Sequence, residues 1–237
     1  MKHLIETTDP SGLTRVDYNR IILNSDTDDI IVRGGYSNGH PYVDLGLPSR
    51  TLWATMNVGA ASETEVGDYF MWGSTTPNTD TPCDWEHAPF NGGYTEYNAD
   101  AFDLVKDTVC PNGVLAKKYD AASQIMGGEW RMPTMDEFQE LLENTTHPWV
   151  TDFNGTGVQG VKFTSKNYPS KYIFLPVSGT RSGSSFINKN LGGYFWCSSL
   201  DTSDPIYALN AELFSRSMSA NYSLQERYFG NSVRGVL

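Results

Sequence analysis

The sequence predicts an α+β domain with a large share of loop. From Pro41 onward, short apolar runs are cut at close intervals by Gly, Pro, Asn and Ser, the texture of strands joined by turns. Two segments break that texture with helical spacing. The 22 Gly, 12 Pro and 13% aromatic residues beside only 19% charged ones argue against a coiled coil, a long-helix bundle or a disordered chain. At 237 residues, the chain suits one domain, or one domain with a small appendage.

In chain order, the first segment stands apart. Residues 1–35 hold a polar start, a short alternating stretch at 16–23, an acidic turn at 24–29, and the apolar Ile30, Ile31 and Val32 ahead of Gly34 and Gly35. This reads as one or two short strands ending in a flexible joint, too small to own a core. Residues 1–38 are therefore expected to be an N-terminal attachment or oligomerisation segment, and residues 39–237 the domain. Strands are predicted at 42–45, 51–57, 69–72, 160–164, 172–176, 194–198, 206–214 and 232–236.

A pair of short helices is predicted among them. One spans 119–126 and stops at Gly127 and Gly128. The other starts after Thr134, which with Glu137 forms a capping box, and Met135, Phe138, Leu141 and Leu142 then share one face. Residues 75–113, rich in Pro, Asn, Asp, Gly and aromatics, read as a long excursion rather than a strand ladder. Trp53, Trp72, Trp130 and Trp196 each sit in a short apolar run and are expected in the core with an indole N–H partner.

The 17 Lys plus Arg against 28 Asp plus Glu leave a net charge of −11, which disfavours a sequence-independent hold on nucleic acid or anionic lipid. No run approaches the roughly 18 apolar residues of a membrane span, and the N-terminus turns polar before an export signal could form. The chain is therefore expected to be soluble and unprocessed, with no membrane partner. Cys83, Cys110 and Cys197 do not make a disulfide framework. They suit assembly in a reducing cytoplasm, with a Cys83 to Cys110 bridge left open.

The short motifs carry little chemistry. Gly155, Gly157 and Gly160 match G-x-G-x-x-G, but Val161, Lys162 and Phe163 follow as strand, where a dinucleotide site needs a helix; a hairpin or loop is the better reading. Asp26, Asp28 and Asp29 lack the glycine and the closing glutamate of a calcium loop. Cys83, Asp84, Glu86 and His87 cluster without a second ligand pair at zinc spacing. The four histidines, His3, His40, His87 and His147, are scattered, and there is no serine elbow or phosphate loop. The sequons at Asn144, Asn154 and Asn221 matter only on a eukaryotic secretory route. No metal and no cofactor is expected.

Longer blocks are more informative. VDLGLPSRTLWA (43–54), MNVGA (56–60), GDYFMWG (67–73), GGEWRMPTMDEFQELL (127–142), IFLPVSGTRSG (173–183), GYFWCSS (193–199) and GNSVRGV (230–236) occur in that order. Together they resemble the Fibrobacter major paralogous domain family, across about 41–237. The resemblance implies a C-type lectin-like fold, with two helices flanking a twisted antiparallel sheet whose last strands carry an exposed ligand face. It also implies kinship with the variable proteins of diversity-generating retroelements. In those proteins the variable positions lie between a Y-W-S-S-like block and a terminal S-V-R block, here residues 200–228. The calcium signatures of sugar-binding C-type lectins are absent. Formylglycine-generating enzymes share the flavour of 128–137, but their paired cysteines are not matched by the lone Cys197.

Residues 200–228 are also unusual in themselves, mixing aromatics and arginine with polar spacers, the residue types of binding hot spots. Because alternate strand residues face inward, Ala208, Asn210, Leu213 and Val233 are assigned to packing. Tyr207, Arg216, Tyr222, Arg227 and Tyr228 are the ligand-binding candidates. The expected function is that of a non-enzymatic bacteriophage virion surface protein, a head or tail fibre binding host-surface glycan or protein. Residues 1–38 would anchor it to capsid or tail proteins, as a homo-oligomer and on our reading a trimer. The alternatives are a secreted or surface adhesin of a gut bacterium, on the bacterial cell surface, and a formylglycine-generating-like enzyme.

Overall fold

In the computed structural model the described residues are 34–214 and 219–237, with side chains at 34–214 and 223–237, together with the backbone at 7–8, 14–15, 21–23 and 30–32. Thr7–Thr8 pairs with Thr14–Arg15, and Ile21–Leu23 with Ile30–Val32. The acidic turn with Asp26, Asp28 and Asp29 lies outside the described residues. The fold is mixed α+β, 17% helical and 35% strand in antiparallel sheets.

The domain sheet begins earlier than expected. Strand β1 (Gly34–Ser37) forms a hairpin with β2 (His40–Asp44), which pairs in turn with β3 (Leu52–Asn57). Gly34 and Gly35 are thus strand residues, not a flexible joint, and a boundary at 38/39 would cut this hairpin. The hairpin is also fastened to the core, since Trp130 Nε1 donates to Ser37 O at 2.9 Å and Asn38 Nδ2 donates to Met126 O.

Among the described residues four α-helices form where the sequence predicts a pair: α1 (Ala99–Asp103), α2 (Lys106–Val109), α3 (Ala121–Met126) and α4 (Met135–Asn144). The first two lie within the 75–113 excursion and are too short to show a helical period. Asn98 caps α1 by accepting from Ala101 N at 2.8 Å, and Phe102 is its buried anchor. At α4 the capping box forms between Thr134 and Glu137. Glu137 is further gripped by Arg131, which donates Nη1 to Oε2 at 2.7 Å and Nη2 to Oε1 at 2.5 Å, and by Thr51 Oγ1 at 3.0 Å. The Trp-Arg-x-Pro-Thr block thus has a structural role, tying Trp130 to Ser37 and Arg131 to the α4 cap.

After α4 come β4 (Thr145–Thr146), β5 (Trp149–Val150), β6 (Gly160–Ser165) and β7 (Tyr172–Pro176), with β6 pairing all three others. Gly160 opens β6 because a Cβ there would meet Leu175 O at 2.2 Å. The G-x-G-x-x-G string therefore ends in a strand, as its sequence context indicated. A hairpin of β8 (Thr180–Ser182) and β9 (Ser185–Ile187) leads to β10 (Gly192–Leu200), β11 (Tyr207–Phe214) and β12 (Ser219–Glu226), a three-stranded antiparallel sheet in that order.

The last strand, β13 (Arg234–Val236), returns to β3, with Arg234 opposite Asn57 and Val236 opposite Trp53. Buried Arg234 donates to Asn57 Oδ1 at 2.8 Å, Ala54 O at 2.8 Å and Phe174 O at 2.7 Å, joining two sheets. The predicted strand at 69–72 is instead a single bridge, Phe70 to Asn231, because the chain turns away at once into the excursion.

Two large apolar clusters fill the interior. One packs Met135, Phe138 and Leu141 of α4 on Trp53, Val161, Phe163, Phe195 and Leu213. The other gathers Trp72, Trp130 and Trp196 with Phe102, Met126 and Val233. Trp72 Nε1 donates to Cys197 O at 3.0 Å and Trp196 Nε1 to Phe70 O at 2.8 Å. Trp53 is buried without an N–H partner. Cys83, Cys110 and Cys197 are all free and buried, so no Cys83 to Cys110 bridge forms.

Candidate functional site

The five candidate residues fare differently. Tyr207 is half-buried at the start of β11, opposite Glu226. Arg216 lies outside the described residues. Tyr222 is placed by backbone register opposite Ala211, and its side chain is outside the described residues. Ala208, Asn210, Leu213 and Val233 are all fully buried, as expected of packing positions.

Arg227 corrects the sequence reading. It is 0% exposed, so it does not stand on a binding face. Its Nε donates to Pro205 O at 2.7 Å and its Nη1 to Pro89 O at 3.4 Å. Its guanidinium lies 4.0 Å from the Phe102 ring centroid and 5.6 Å from those of Trp85 and Tyr97. A desolvated cation needs either a carboxylate or ring faces around it, and here rings and carbonyls serve. Burial pushes its pKa down to about 10, with the Tyr97 hydroxyl acting the other way.

Around this arginine the excursion presents an aromatic group that sequence reasoning missed. The half-buried Trp85 ring is 5.1 Å from Tyr97, tilted at 53°, and 5.1 Å from Tyr228, edge to face. Tyr228 in turn stacks on Phe229 at 4.5 Å. The inner edges of Trp85 and Tyr228 pack on Met71, Cys83 and Ala88. Of the five candidates, Tyr228 and Arg227 belong to this group, and Tyr207 sits at the same end of the sheet.

One buried side chain shapes the loop. Asn91, 1% exposed, donates Nδ2 to the carbonyls of Trp85, Tyr94 and Glu96, each at 2.8 Å. Its Oδ1 accepts from Asn98 N at 2.8 Å. Phe90 beside it holds φ 66°, a left-handed conformation uncommon for a bulky residue. It is kept there by packing on Tyr119, 5.0 Å away. A signal for this site was present in sequence: Trp85 stands between Asp84 and Glu86, unlike the tryptophans that lie in apolar runs.

The Cys83, Asp84, Glu86 and His87 cluster does not assemble as metal ligands. Among the described residues no group of three or more His, Cys, Asp or Glu is placed to hold an ion. Asp84 Oδ1 instead accepts from His87 N at 3.1 Å and pairs with His87 Nδ1 at 2.6 Å. Cys83 is buried, and burial pushes its thiol up to about 11. Cys197 is fully buried and its thiol is held up in the same way.

The chain matches no family model, no curated protein and no solved structure.

Proposed function

We propose that this chain is a non-enzymatic binding protein displayed on a bacteriophage virion, a head or tail fibre whose C-type lectin-like domain engages glycan or protein on the host surface. The observation that carries the reading is the half-buried group of Trp85 and Tyr97, on a loop fastened by hydrogen bonds from Asn91 and Arg227, with Tyr228 packed against it. Recognition residues concentrate on loops positioned by a stiff frame, and tyrosine and tryptophan dominate binding hot spots. Helices beside antiparallel sheets are also what a lectin-like domain requires. The virion setting rests on the ordered sequence blocks. In that setting the N-terminal segment would attach the domain to capsid or tail, as a homo-oligomer.

The formylglycine-generating-like alternative draws no support from the site. Its cysteine would be Cys197, which is buried under the core rather than open to a cleft. The test of the proposal is antibody labelling. Antibody against the full chain should decorate intact virions and block adsorption to host cells. Antigen found only free in the lysate, with adsorption unaffected, would sink the proposal.

A further inference from the structure

We propose that the outward edge of the Trp85 group holds a neutral saccharide; this rests on the binding-protein reading and narrows its ligand. The apolar C–H face of a pyranose is slightly electropositive and suits the negative face of an indole or phenol ring. Trp85 supplies such a ring with Tyr97 and Tyr228 each 5.1 Å from it, and Tyr94, whose carbonyl shares the Asn91 amide with that of Trp85, is 58% exposed.

Hydroxyls need polar partners at the ring's margin, and Asp84 and His87 flank Trp85 with side chains 40% and 37% exposed. His87 N and Nδ1 both engage Asp84 Oδ1, which leaves Oδ2 as an acceptor. The four-point anchorage of Asn91 fixes the loop before any ligand arrives, and so removes most of the ordering cost of binding.

Charge decides which saccharides fit. Glu86 and Glu96 are exposed, the Asp84 side chain is 40% exposed, and Asp80 and Asp100 add two further exposed carboxylates to the excursion. Arg227 is buried beneath the rings, and Lys106, whose charge reaches Tyr97, is paired with Asp103 at 2.9 Å. With a net charge of −11 overall, the site repels uronates, sialates and sulfated sugars.

The test uses the full chain on an array of mannan, galactan and glucan oligosaccharides beside sialylated, sulfated and uronate-bearing counterparts. Binding is expected on neutral members only, falling at least tenfold in Trp85→Ala. Asp84 is exposed, so Asp84→Asn keeps the fold whatever Trp85→Ala does, and it should weaken binding several-fold with an unchanged melting temperature. Preference for acidic members, a silent array, or neutral binding untouched by both substitutions would each overturn the inference. The same labelled chain applied to host cells separates the two readings. Adsorption to cells with a silent array removes the saccharide and leaves the binding protein, whereas failure on both removes both.

Discussion

The Arg227 guanidinium sits 4.0 Å above the Phe102 ring, and through it the end of the last long strand grips a helix in the middle of the excursion. Its two hydrogen bonds reach Pro205, in the turn before β11, and Pro89, beside the Asn91 loop. Three segments far apart in sequence thus meet at one buried cation. A desolvated cation–π contact is worth about 2 kcal/mol and a hydrogen bond from a charged donor a comparable amount. Arg227→Ala is therefore expected to lower unfolding free energy by about 3 kcal/mol, read from urea denaturation, a discounted sum because partners relax. Arg227→Lys should recover only part, since a point charge lacks the planar fork. A loss within about 0.5 kcal/mol, usual for exposed positions, would contradict the burial.

Asn91 gives a second, more local expectation. Its replacement by alanine strands the carbonyls of Trp85, Tyr94 and Glu96 and the N–H of Asn98. Asn91→Ala should cost about 2 kcal/mol and speed proteolytic cleavage between residues 85 and 98 well before the rest of the domain. Equal cleavage rates in variant and parent would show that the loop is ordered by something else.

The sequence made the frame legible and the site largely not. Strand runs such as Tyr172–Pro176, the Thr134 and Glu137 capping box, and the burial of the four tryptophans depend on local pattern and form as read, although the Trp53 N–H lacks the expected partner. Arg227 reads as exposed because composition marks arginine as a surface or hot-spot residue. The ring that shelters it, Phe102, is distant in sequence, so no local pattern could show the contact. Trp85 and Tyr97 are hidden in the sequence for a related reason. Their loop is ordered by the side-chain bonds of Asn91, which carry no periodicity. The early start of the sheet was hidden because Gly34 and Gly35 read as a joint until Tyr42 and Val43 are seen opposite them.

That early start can be checked by truncation. A chain beginning at Gly34 keeps β1, the Ser37 carbonyl that Trp130 uses and the Asn38 amide that bonds Met126 O. A chain beginning at Gly39 loses all of these and leaves the Trp130 N–H unsatisfied near the core. The first is expected to melt with its domain transition unchanged, and the second to lose at least about 2 kcal/mol. Indistinguishable transitions would restore a boundary near residue 38.

The thiols supply a prediction with a defined sign. A cysteine ordinarily ionises near about 8.5. In the folded chain burial pushes Cys83 up to about 11 and raises Cys110 and Cys197 as well. Between about pH 9 and 10, the unfolded chain therefore sheds thiol protons that the folded chain retains. The folded state then binds more protons, so stability falls as pH rises through this window. Arg234 and Arg227, pushed down by burial to about 9 and about 10, act in the opposite direction above those values, where the folded chain is first to lose their protons, but between about pH 9 and 10 the three thiols outweigh them. The denaturation midpoint is accordingly expected to fall from pH 8 to pH 10. A thiol-reactive dye at pH 8 should label none of Cys83, Cys110 and Cys197 within minutes, and all of them once the chain is unfolded. Rapid stoichiometric labelling of one thiol in the native chain would mean an accessible thiolate, and would return a cysteine nucleophile to consideration.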